Sequence, residues 1–548
     1  MATTITEKKL QPGEYTWQQT ILSHMWLVYC VSFPKAYSGS QEELTNLATA
    51  SVKKTLASQQ AQKLIGKWEL VWGVNVYQRW RSIVADSTMY IAKYSESSDI
   101  DNIDKYVISI AGTNPFSIYT ILFEDARFSS VKKWNEGQPW NSKIDAASTD
   151  EPAIPSGLST GLEVHMSRMQ DAQGNFLVDI LREIVSNATK PVEITVAGHS
   201  LGGTISPLLG LSLYDCQSEW DKDNKATIKV VSVAGMSPGN EAFAEYYQSK
   251  LGDRTERIWC DKDIVPYMST VNGLSTIPTL YAPKISNNIL VSALFNTMQL
   301  VTQQHKYTPI SQTPGYSGSF EPSKLSQKIN ENEFLKAYLI TECSTLIYLI
   351  WLQKLENIPF MPSVVEDKFE ELAEEFSKLF AEVITKMLGV GAIVDQELEN
   401  IFDYLVNSVS TIPVVGALKQ FNRNLLSTAS LFGLIDYYLQ FSYQHTQQYV
   451  NYFGFSEFDL LRLQITAKIN EGCEEENARK QKPNTVVVEY GKAKDDDIKD
   501  LLNGEGKLLN NISDVVVGLK LSGTVEQNVQ PLLFIIEKEK EKDRGFCG

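Results

Sequence analysis

The sequence predicts an α/β protein with a mostly parallel central sheet, followed by a helical region and a small β-containing C-terminal region. Up to about residue 320, segments rich in β-branched and aromatic residues alternate with stretches of helical periodicity. One buried-strand pattern, ITVAGHSLGG at 194–203, runs directly into glycines that flank a serine. Because strands that alternate with helices usually pair in parallel and are covered on both faces, we expect a single α/β domain here.

The strands and helices of this domain follow from composition and periodicity. Three segments before residue 190 have helical character, and in the last of them Phe176, Ile180, Leu181 and Ile184 share one face. These helical segments are 15–31, 41–67 and 175–187. The strand segments are 67–78, 87–94, 105–110, the strand that begins at Ile194, 226–234 and 256–260.

The chain is predicted to divide into three regions: 1–325, the α/β domain; 326–455, a helical accessory domain; and 456–548, a mixed, β-rich region. Within the helical part, residues 365–383 carry apolar residues at helical spacing with acidic residues between them, which is typical of an amphipathic helix with a solvated face. The last region contains strand-like segments at 484–490, 515–521 and 531–536.

Composition limits the classes of function. The chain has 548 residues and a formal net charge of −16, which argues against nucleic acid as a partner and against simple attraction to anionic lipid. The longest apolar stretch, at 344–352, is shorter than the roughly 20 residues that span a bilayer. The N-terminus lacks the apolar run of a cleavable signal. We therefore expect no transmembrane segment, and a protein that is cytoplasmic or exported by a route independent of a signal peptide.

The serine at position 200 stands between Gly198 and Gly202 at the end of a predicted strand. This G-x-S-x-G pattern is typical of a nucleophile elbow, a turn so sharp that the residues two positions to either side must be glycine. Such a turn exposes the serine oxygen and directs the amide of Leu201 toward a developing oxyanion. An ordinary glycine-rich turn from strand to helix matches the same five letters by chance.

A serine nucleophile needs an imidazole base and an orienting carboxylate, which in this architecture follow the serine in the order acid, then histidine. Asp263, just after the strand at 256–260, is the predicted acid, and Asp261 is the alternative. The chain has five histidines, of which two precede the serine and one, His199, lies in the elbow with its side chain directed away from that of the serine. His305 and His445 remain, and His305 is preferred because it falls within the α/β region.

Four blocks in order resemble the class 3 lipase family of α/β-hydrolases. They are VISIAGT at 107–113, VAGHSLGG at 196–203, SPGNEAFA at 237–244 and RIWCDKDIVPYM at 257–268. The likeness covers roughly residues 65 to 310. It implies an α/β-hydrolase fold and the hydrolysis of acyl esters of lipids, by a lipase or a phospholipase.

Carried onto this sequence, the resemblance implies Ser200 as nucleophile, Asp263 as acid and His305 as base, with Thr113 and the Leu201 amide as oxyanion donors. The family usually has arginine before its Gly-Thr pair, whereas this chain has Ala111. The support of the oxyanion loop must therefore differ.

In related lipases a mobile lid occupies the region that corresponds to 114–160, where this chain carries many aromatic residues. Packing of these residues in an ordinary core is the alternative. The serine chemistry requires no cofactor or metal, and the acidic stretch at 221–225 fails the pattern of a calcium loop. A lipase-like protein that acts through a partner surface and does not need catalysis is the alternative function.

Overall fold

The computed structural model describes residues 12–32, 37–79, 84–95, 102–112, 128–145, 150–320, 428–480, 485–493, 510 and 530–538. The chain divides into two compact units, Met1–Thr466 and Ala467–Gly548. The described helical residues from 428 to 466 thus belong to the same unit as the central sheet. The predicted boundary at 325 and the predicted helix at 365–383 lie outside the described residues.

The first unit contains a six-stranded sheet in the order β1-β2-β3-β7-β8-β10, together with two small sheets. Its strands are β1 (Trp68–Tyr77), β2 (Ser87–Tyr94), β3 (Asp104–Ile110), β4 (Val131–Lys133), β5 (Ile144–Asp145), β6 (Ala153–Pro155), β7 (Val192–His199), β8 (Ala226–Val233), β9 (Gly239–Asn240), β10 (Thr255–Ile258) and β11 (Tyr307–Thr308).

The large sheet is parallel where the candidate serine lies. Strands β3, β7, β8 and β10 run in parallel, whereas β1 pairs with β2 and β2 with β3 in antiparallel fashion. Ile110 at the end of β3 is in register with Gly198 of β7, so the ends of the two strands lie side by side. The predicted α/β fold with a mostly parallel central sheet is confirmed.

Helices cover the sheet and follow it in the chain. They are α1 (Trp17–Leu27), α2 (Gln41–Ala57), α3 (Gln59–Ile65), α4 (Ser156–Glu163), α5 (Leu177–Asn187), α6 (Leu201–Asp215), α7 (Gln217–Trp220), α8 (Glu241–Leu251), α9 (Val271–Thr276), α10 (Ile289–Thr302), α11 (Thr428–His445), α12 (Gln447–Phe453) and α13 (Ser456–Lys480). A π-helical turn, Val164–Arg168, continues α4.

Local sequence explains where these helices begin and which face they bury. Helix α1 starts after Thr16, whose hydroxyl accepts from the Gln19 amide while the Gln19 side chain returns to the Thr16 backbone. In α5 the buried residues recur at helical spacing, and the helix packs against the sheet through them. They are Leu177, Ile180, Leu181, Ile184 and Val185.

The second unit contains a parallel strand pair, β12 (Thr485–Ala493) with β13 (Gln530–Lys538). Thr485 is in register with Gln530, and the pairing continues to Ala493 and Lys538. Two of the three strand segments predicted for the C-terminal region therefore coincide with strands, and the third, 515–521, lies outside the described residues. Throughout the described ranges, no helix combines the length and apolar character needed to cross a membrane.

Two histidines of the first unit are buried away from the candidate site. His24 in α1 lies 2.8 Å from the hydroxyl of Tyr90, and Nδ1 of His165 lies 2.8 Å from the Gly161 carbonyl oxygen. Burial lowers the pKa of His24 to about 3. It lowers the pKa of His165 to about 4, although the bond to Gly161 acts in the opposite direction. Both imidazoles are therefore neutral in the folded protein at pH 5.

Acidification is expected to destabilise the fold through these two histidines. Their pKa in the unfolded chain is near the ordinary value of 6.5, so below that pH the unfolded state takes up protons that the folded state excludes. The contribution of each histidine to the free energy of unfolding is fully present above pH 6.5 and is lost as the pH falls toward 4. At pH 5 the loss is about 2 kcal/mol per histidine. Urea unfolding at pH 7.5 and pH 5.0 measures this loss. The variant His165→Asn, which keeps a donor for Gly161, should lose about 2 kcal/mol less than wild type, and an unchanged pH dependence would contradict the assignment.

Candidate functional site

Ser200 occupies a strained turn between β7 and α6. Its φ is 63° and its ψ −125°, a backbone conformation that residues other than glycine rarely adopt. The turn is fixed from both sides, since the Ser200 amide donates to Val233 of β8 at 2.9 Å and the Ser200 carbonyl accepts from the Thr204 amide at 3.0 Å. Ser200 itself is half-buried. The geometry is that of the nucleophile elbow that the G-x-S-x-G pattern predicted.

The glycines around Ser200 are required because backbone approaches them closely. A Cβ atom on Gly198 would collide with the carbonyl oxygen of Gly202, and one on Gly202 would collide with the carbonyl oxygen of Ile110. Gly203 faces the Val233 carbonyl in the same way. All three neighbouring carbonyl groups are main chain, which cannot rotate out of the way as a side chain can. The sharp turn therefore depends on the absence of side chains at these positions.

Replacing Gly198 by alanine is expected to destabilise the first unit by about 1 to 3 kcal/mol or more, because the new methyl group overlaps backbone atoms of α6. Thermal unfolding of purified protein, together with the soluble yield, measures this effect. Gly472→Ala in α13, in the second unit, is the control for an unhindered glycine, since an added Cβ there meets no other part of the chain within 4 Å. Equal stability of Gly198→Ala and wild type would show that the turn tolerates a side chain.

Asp263 lies in the loop after β10 and is fully buried. Its amide donates to the Cys260 carbonyl at 3.0 Å, and its Oδ1 accepts from the Val265 amide at 3.1 Å. The hydroxyl of Tyr449 donates to its Oδ2 at 2.9 Å. These bonds fix the carboxylate and leave both oxygens directed at one imidazole, that of His445.

His445 is the histidine that lies between Asp263 and Ser200. Its Nδ1 is 3.0 Å from Oδ1 and 2.9 Å from Oδ2 of Asp263, and its Nε2 is 2.7 Å from Oγ of Ser200. A carboxylate accepts only, so Nδ1 carries the proton and Nε2 is free to accept from the serine hydroxyl. The ring of Phe441, one turn earlier in α11, stacks on the imidazole at 5.4 Å. His445 is 5% exposed, so the hydrogen bonds are largely shielded from water.

The preference for His305 over His445 as the partner of Ser200 has to be corrected. His305 ends a 3-10 turn after α10 and its Nε2 lies 3.1 Å from the Ser129 carbonyl oxygen, to which it donates. The same nitrogen lies 3.1 Å from Nε2 of Gln304, and the ring packs beside Tyr307. The preference assumed that the base belongs to the contiguous α/β region. The chain instead returns at α11 and supplies the histidine that is 245 positions after Ser200.

The alternative acid, Asp261, has a different role. Its Oδ1 accepts from the Gly318 amide at 2.8 Å and its Oδ2 accepts from the Ser317 hydroxyl at 3.1 Å. Asp261 therefore holds the loop at 317–318, while Asp263 contacts the imidazole. The choice of Asp263 over Asp261 agrees with this geometry.

Of the two expected oxyanion donors, Leu201 lies within the described residues and Thr113 does not. Leu201 is the first residue of α6, so its amide has no carbonyl partner within the helix and lies next to the serine. Thr113 and residues 114–127 of the expected lid lie outside the described residues. Gly112, the last described residue before Thr113, is so close to the elbow that a Cβ on it would meet Cβ of Ser200 at 2.9 Å. The last described residue before Thr113 therefore lies directly beside Ser200.

Helix α1 supports the segment that carries His445. The side chain of Gln19 donates to the Phe453 carbonyl at 2.8 Å, and Trp26 packs edge-on against Phe455 with ring centroids 5.1 Å apart. Sequence reasoning kept His445 as the alternative base and did not identify Tyr449 as a neighbour of Asp263. Their four-residue spacing would place them on one side of a helix. That spacing alone has no specificity, and only the fold brings the pair to the acid.

The arrangement of hydroxyl, imidazole and carboxylate is suited to nucleophilic acyl transfer, because it supplies a serine oxygen, a base and an orienting acid in hydrogen-bond contact. Within the described residues, no group of three or more histidine, cysteine or acidic side chains is arranged to hold a metal ion.

Comparison with known proteins agrees with the motifs. Residues 107–273 match the family described as "Lipase (class 3)", and residues 470–545 match a family of unknown function, DUF6200. No curated protein matches the chain significantly.

Among solved structures, the chain is similar to M37 lipase, with 26% identity, 63% of this chain and 99% of that chain covered, and a TM-score of 0.48. It is also similar to MDLA from Penicillium cyclopium, at 16% identity with 56% and 80% of the two chains covered and a TM-score of 0.29. For the Lip2 lipase from Yarrowia lipolytica the identity is 17%, the coverage 46% and 75%, and the TM-score 0.27. The match of residues 107–273 is to the family that the sequence motifs resemble.

Proposed function

We propose that this lipase-type ester hydrolase cleaves acyl esters of lipids through Ser200, His445 and Asp263, with an acyl-enzyme intermediate. The observation that carries the proposal is the continuous contact from Asp263 through His445 to Ser200 Oγ, at 2.9 Å and 2.7 Å, on a strained elbow. The three groups come from three separate parts of the chain, which supports a functional reason for their meeting.

In the first half of the reaction, Ser200 Oγ attacks the ester carbonyl carbon while Nε2 of His445 takes the hydroxyl proton. The carbonyl π electrons move to oxygen, and the Leu201 amide is one donor to that oxyanion, with Thr113 proposed as the other. Collapse of the tetrahedral intermediate breaks the bond to the leaving alcohol, which receives its proton from His445 Nε2. Asp263 stabilises the imidazolium throughout and stays ionised.

In the second half, water attacks the acyl-enzyme carbonyl and gives a proton to His445 Nε2. The oxyanion forms in the same position, and its collapse releases the fatty acid and returns the proton to Ser200 Oγ. Each half-reaction is therefore balanced by one imidazole that accepts and then donates a proton.

Lipid esters are the proposed substrate class because the segment that bears Ser200 matches the class 3 lipase family. The net charge of −16 supports neutral or zwitterionic lipid surfaces over anionic ones, since like charges repel. Hydrolysis of tributyrin and of phosphatidylcholine, measured side by side, distinguishes triacylglycerol from phospholipid as the substrate.

The test combines a covalent probe with an ester panel. Wild-type protein is treated with a fluorophosphonate, and the modified peptide is mapped by mass spectrometry. Hydrolysis of p-nitrophenyl butyrate, tributyrin and phosphatidylcholine vesicles is measured in parallel. We expect the label on Ser200 and no label on Ser200→Ala. Ser206→Ala is the matched control, because this buried serine lies on the same helix and should leave labelling intact.

Two outcomes would overturn the proposal. Label at a serine other than 200 would assign the nucleophile elsewhere. If wild type and Ser200→Ala were equally inactive on short and long acyl esters, and wild type took no label, the alternative of a lipase-like interaction protein would hold.

A further inference from the structure

A buried chain of hydrogen bonds runs from Tyr29 through His199, the residue before Ser200, to the backbone of His445. The hydroxyl of Tyr29, just after α1, lies 3.0 Å from Nδ1 of His199 and 3.1 Å from the His199 carbonyl oxygen. Nε2 of His199 lies 2.7 Å from the carbonyl oxygen of His445. The chain thus connects the residue before the nucleophile with the backbone of the base.

The direction of the protons follows from the acceptors. A backbone carbonyl only accepts, so Nε2 of His199 carries the proton and donates to His445. Nδ1 then has a lone pair, so the one proton of the Tyr29 hydroxyl faces two acceptors, Nδ1 and the carbonyl oxygen of His199. The Gly112 backbone also hydrogen-bonds to Tyr29, which connects the same group to the end of β3. Burial, and after it repulsion from His445, hold the pKa of His199 well below its ordinary value, so this polarity persists at neutral and mildly acidic pH.

The backbone carbonyl of His445, which accepts from Nε2 of His199, needs a donor from outside its own helix. His445 is the last residue of α11, and α12 begins only at Gln447. The Thr446 amide still donates to the Ser442 carbonyl at 3.2 Å, but the Tyr449 amide, four residues after the base, donates to Thr446 instead of His445. Thr446 between the two helices has φ −128° and ψ −76°, outside helical geometry. His445 therefore lies at a helix end, where its carbonyl oxygen accepts from His199 and not from its own helix.

We propose that Tyr29 and His199 are positioning residues that hold the His445 backbone at the distance from Ser200 needed for proton transfer. We call the hydrogen-bond chain from Tyr29 through His199 to the His445 carbonyl the brace. Because His199 and Ser200 are adjacent in the chain, one end of the brace moves with the nucleophile and the other with the base. The hydrogen bond between the Gly112 backbone and Tyr29 connects the brace to the chain directly before Thr113. The inference rests on the proposed hydrolysis by Ser200 and His445.

The chain offers a matched pair for comparison. His24 and Tyr90 form a second buried histidine–tyrosine contact of 2.8 Å, and all four side chains of the two pairs are at most 5% exposed. Loss of the Tyr90 hydroxyl removes a bond of the same kind without touching His445. Tyr90→Phe is thus a control for the effect of burial alone.

The first experiment measures kcat and KM on a soluble p-nitrophenyl ester for Tyr29→Phe, His199→Phe and His199→Gln, with Tyr90→Phe as the control. We expect His199→Phe to lower kcat about 10- to 100-fold with little change in KM, because the base is displaced while substrate contacts remain. Tyr29→Phe should show a smaller loss. His199→Gln, whose amide places an N–H near the position of Nε2, should recover most of kcat.

The second experiment tests the position of the His445 imidazole in protein without substrate. The proton on His445 Nδ1 that is shared with Asp263 should give a strongly deshielded NMR signal in protein with ¹⁵N-labelled histidine. We expect the signal in wild type, His199→Gln and Tyr90→Phe, and its loss or broadening in His199→Phe. If His199→Phe keeps both the signal and the wild-type kcat, or if Tyr90→Phe lowers kcat equally, the brace is overturned. Inactive wild type that still shows the signal would refute the hydrolysis, whereas active wild type with unaffected variants would refute only the brace.

Discussion

Replacing His445 by alanine is expected to lower kcat by about 10⁴- to 10⁶-fold, while His305→Ala stays within a few-fold of wild type. The difference follows from position. His445 Nε2 lies 2.7 Å from Ser200 Oγ, whereas His305 Nε2 donates to the Ser129 backbone. Without an imidazole at the serine, no group takes the hydroxyl proton as the bond to carbon forms.

The measurement is steady-state hydrolysis of a p-nitrophenyl ester, supported by the rate of fluorophosphonate labelling. Both variants should be checked for folding, since His305 is also buried. The reverse result, an inactive His305→Ala beside an active His445→Ala, would require the base to reach Ser200 in a different arrangement of α11. It would remove the main support for the proposed mechanism.

Asp263→Asn is expected to lower kcat by about 10⁴-fold while the fold is retained. The Tyr449 hydroxyl, the Val265 amide and His445 Nδ1–H all donate to the carboxylate oxygens of Asp263. An asparagine has one oxygen, so its amide group must face one of these donors. If it faces His445, the proton is forced onto Nε2 and points at the serine, which is the wrong tautomer for a base.

The control is Asp261→Asn, which changes the neighbouring carboxylate in the same way. Asp261 holds Ser317 and Gly318, so its loss should affect loop stability more than kcat. Kinetics of the two variants at several pH values would separate them. If Asp263→Asn retained activity within tenfold of wild type, the carboxylate would have no orienting role.

Much of the central sheet could be predicted because its strands are marked locally. The strand segments at 67–78, 87–94 and 226–234 coincide closely with β1, β2 and β8. The reason is physical, since buried strands need continuous β-branched and aromatic residues and the intervening helices need a different period. The elbow was equally accessible to sequence reasoning, because only glycine fits beside such a turn.

The partner of Ser200 could not be predicted in the same way. A histidine has no local pattern that distinguishes a base from a buried structural residue, and His24, His165 and His305 are all as buried as His445. What selects His445 is tertiary packing: Gln19 and Trp26 of α1 contact the segment that follows it. Such contacts join residues more than 400 positions apart. Neither periodicity nor spacing in one sequence contains this information.

The position of the base late in the chain has a consequence for biosynthesis. All six strands of the central sheet end by Ile258, whereas His445 follows Ser200 by 245 positions. At about 5 to 20 residues per second, the ribosome needs roughly 12 to 50 s to make the intervening polypeptide. On the proposed mechanism, the nascent chain then has its nucleophile but lacks its proton acceptor, so it should not hydrolyse esters before His445 has been made.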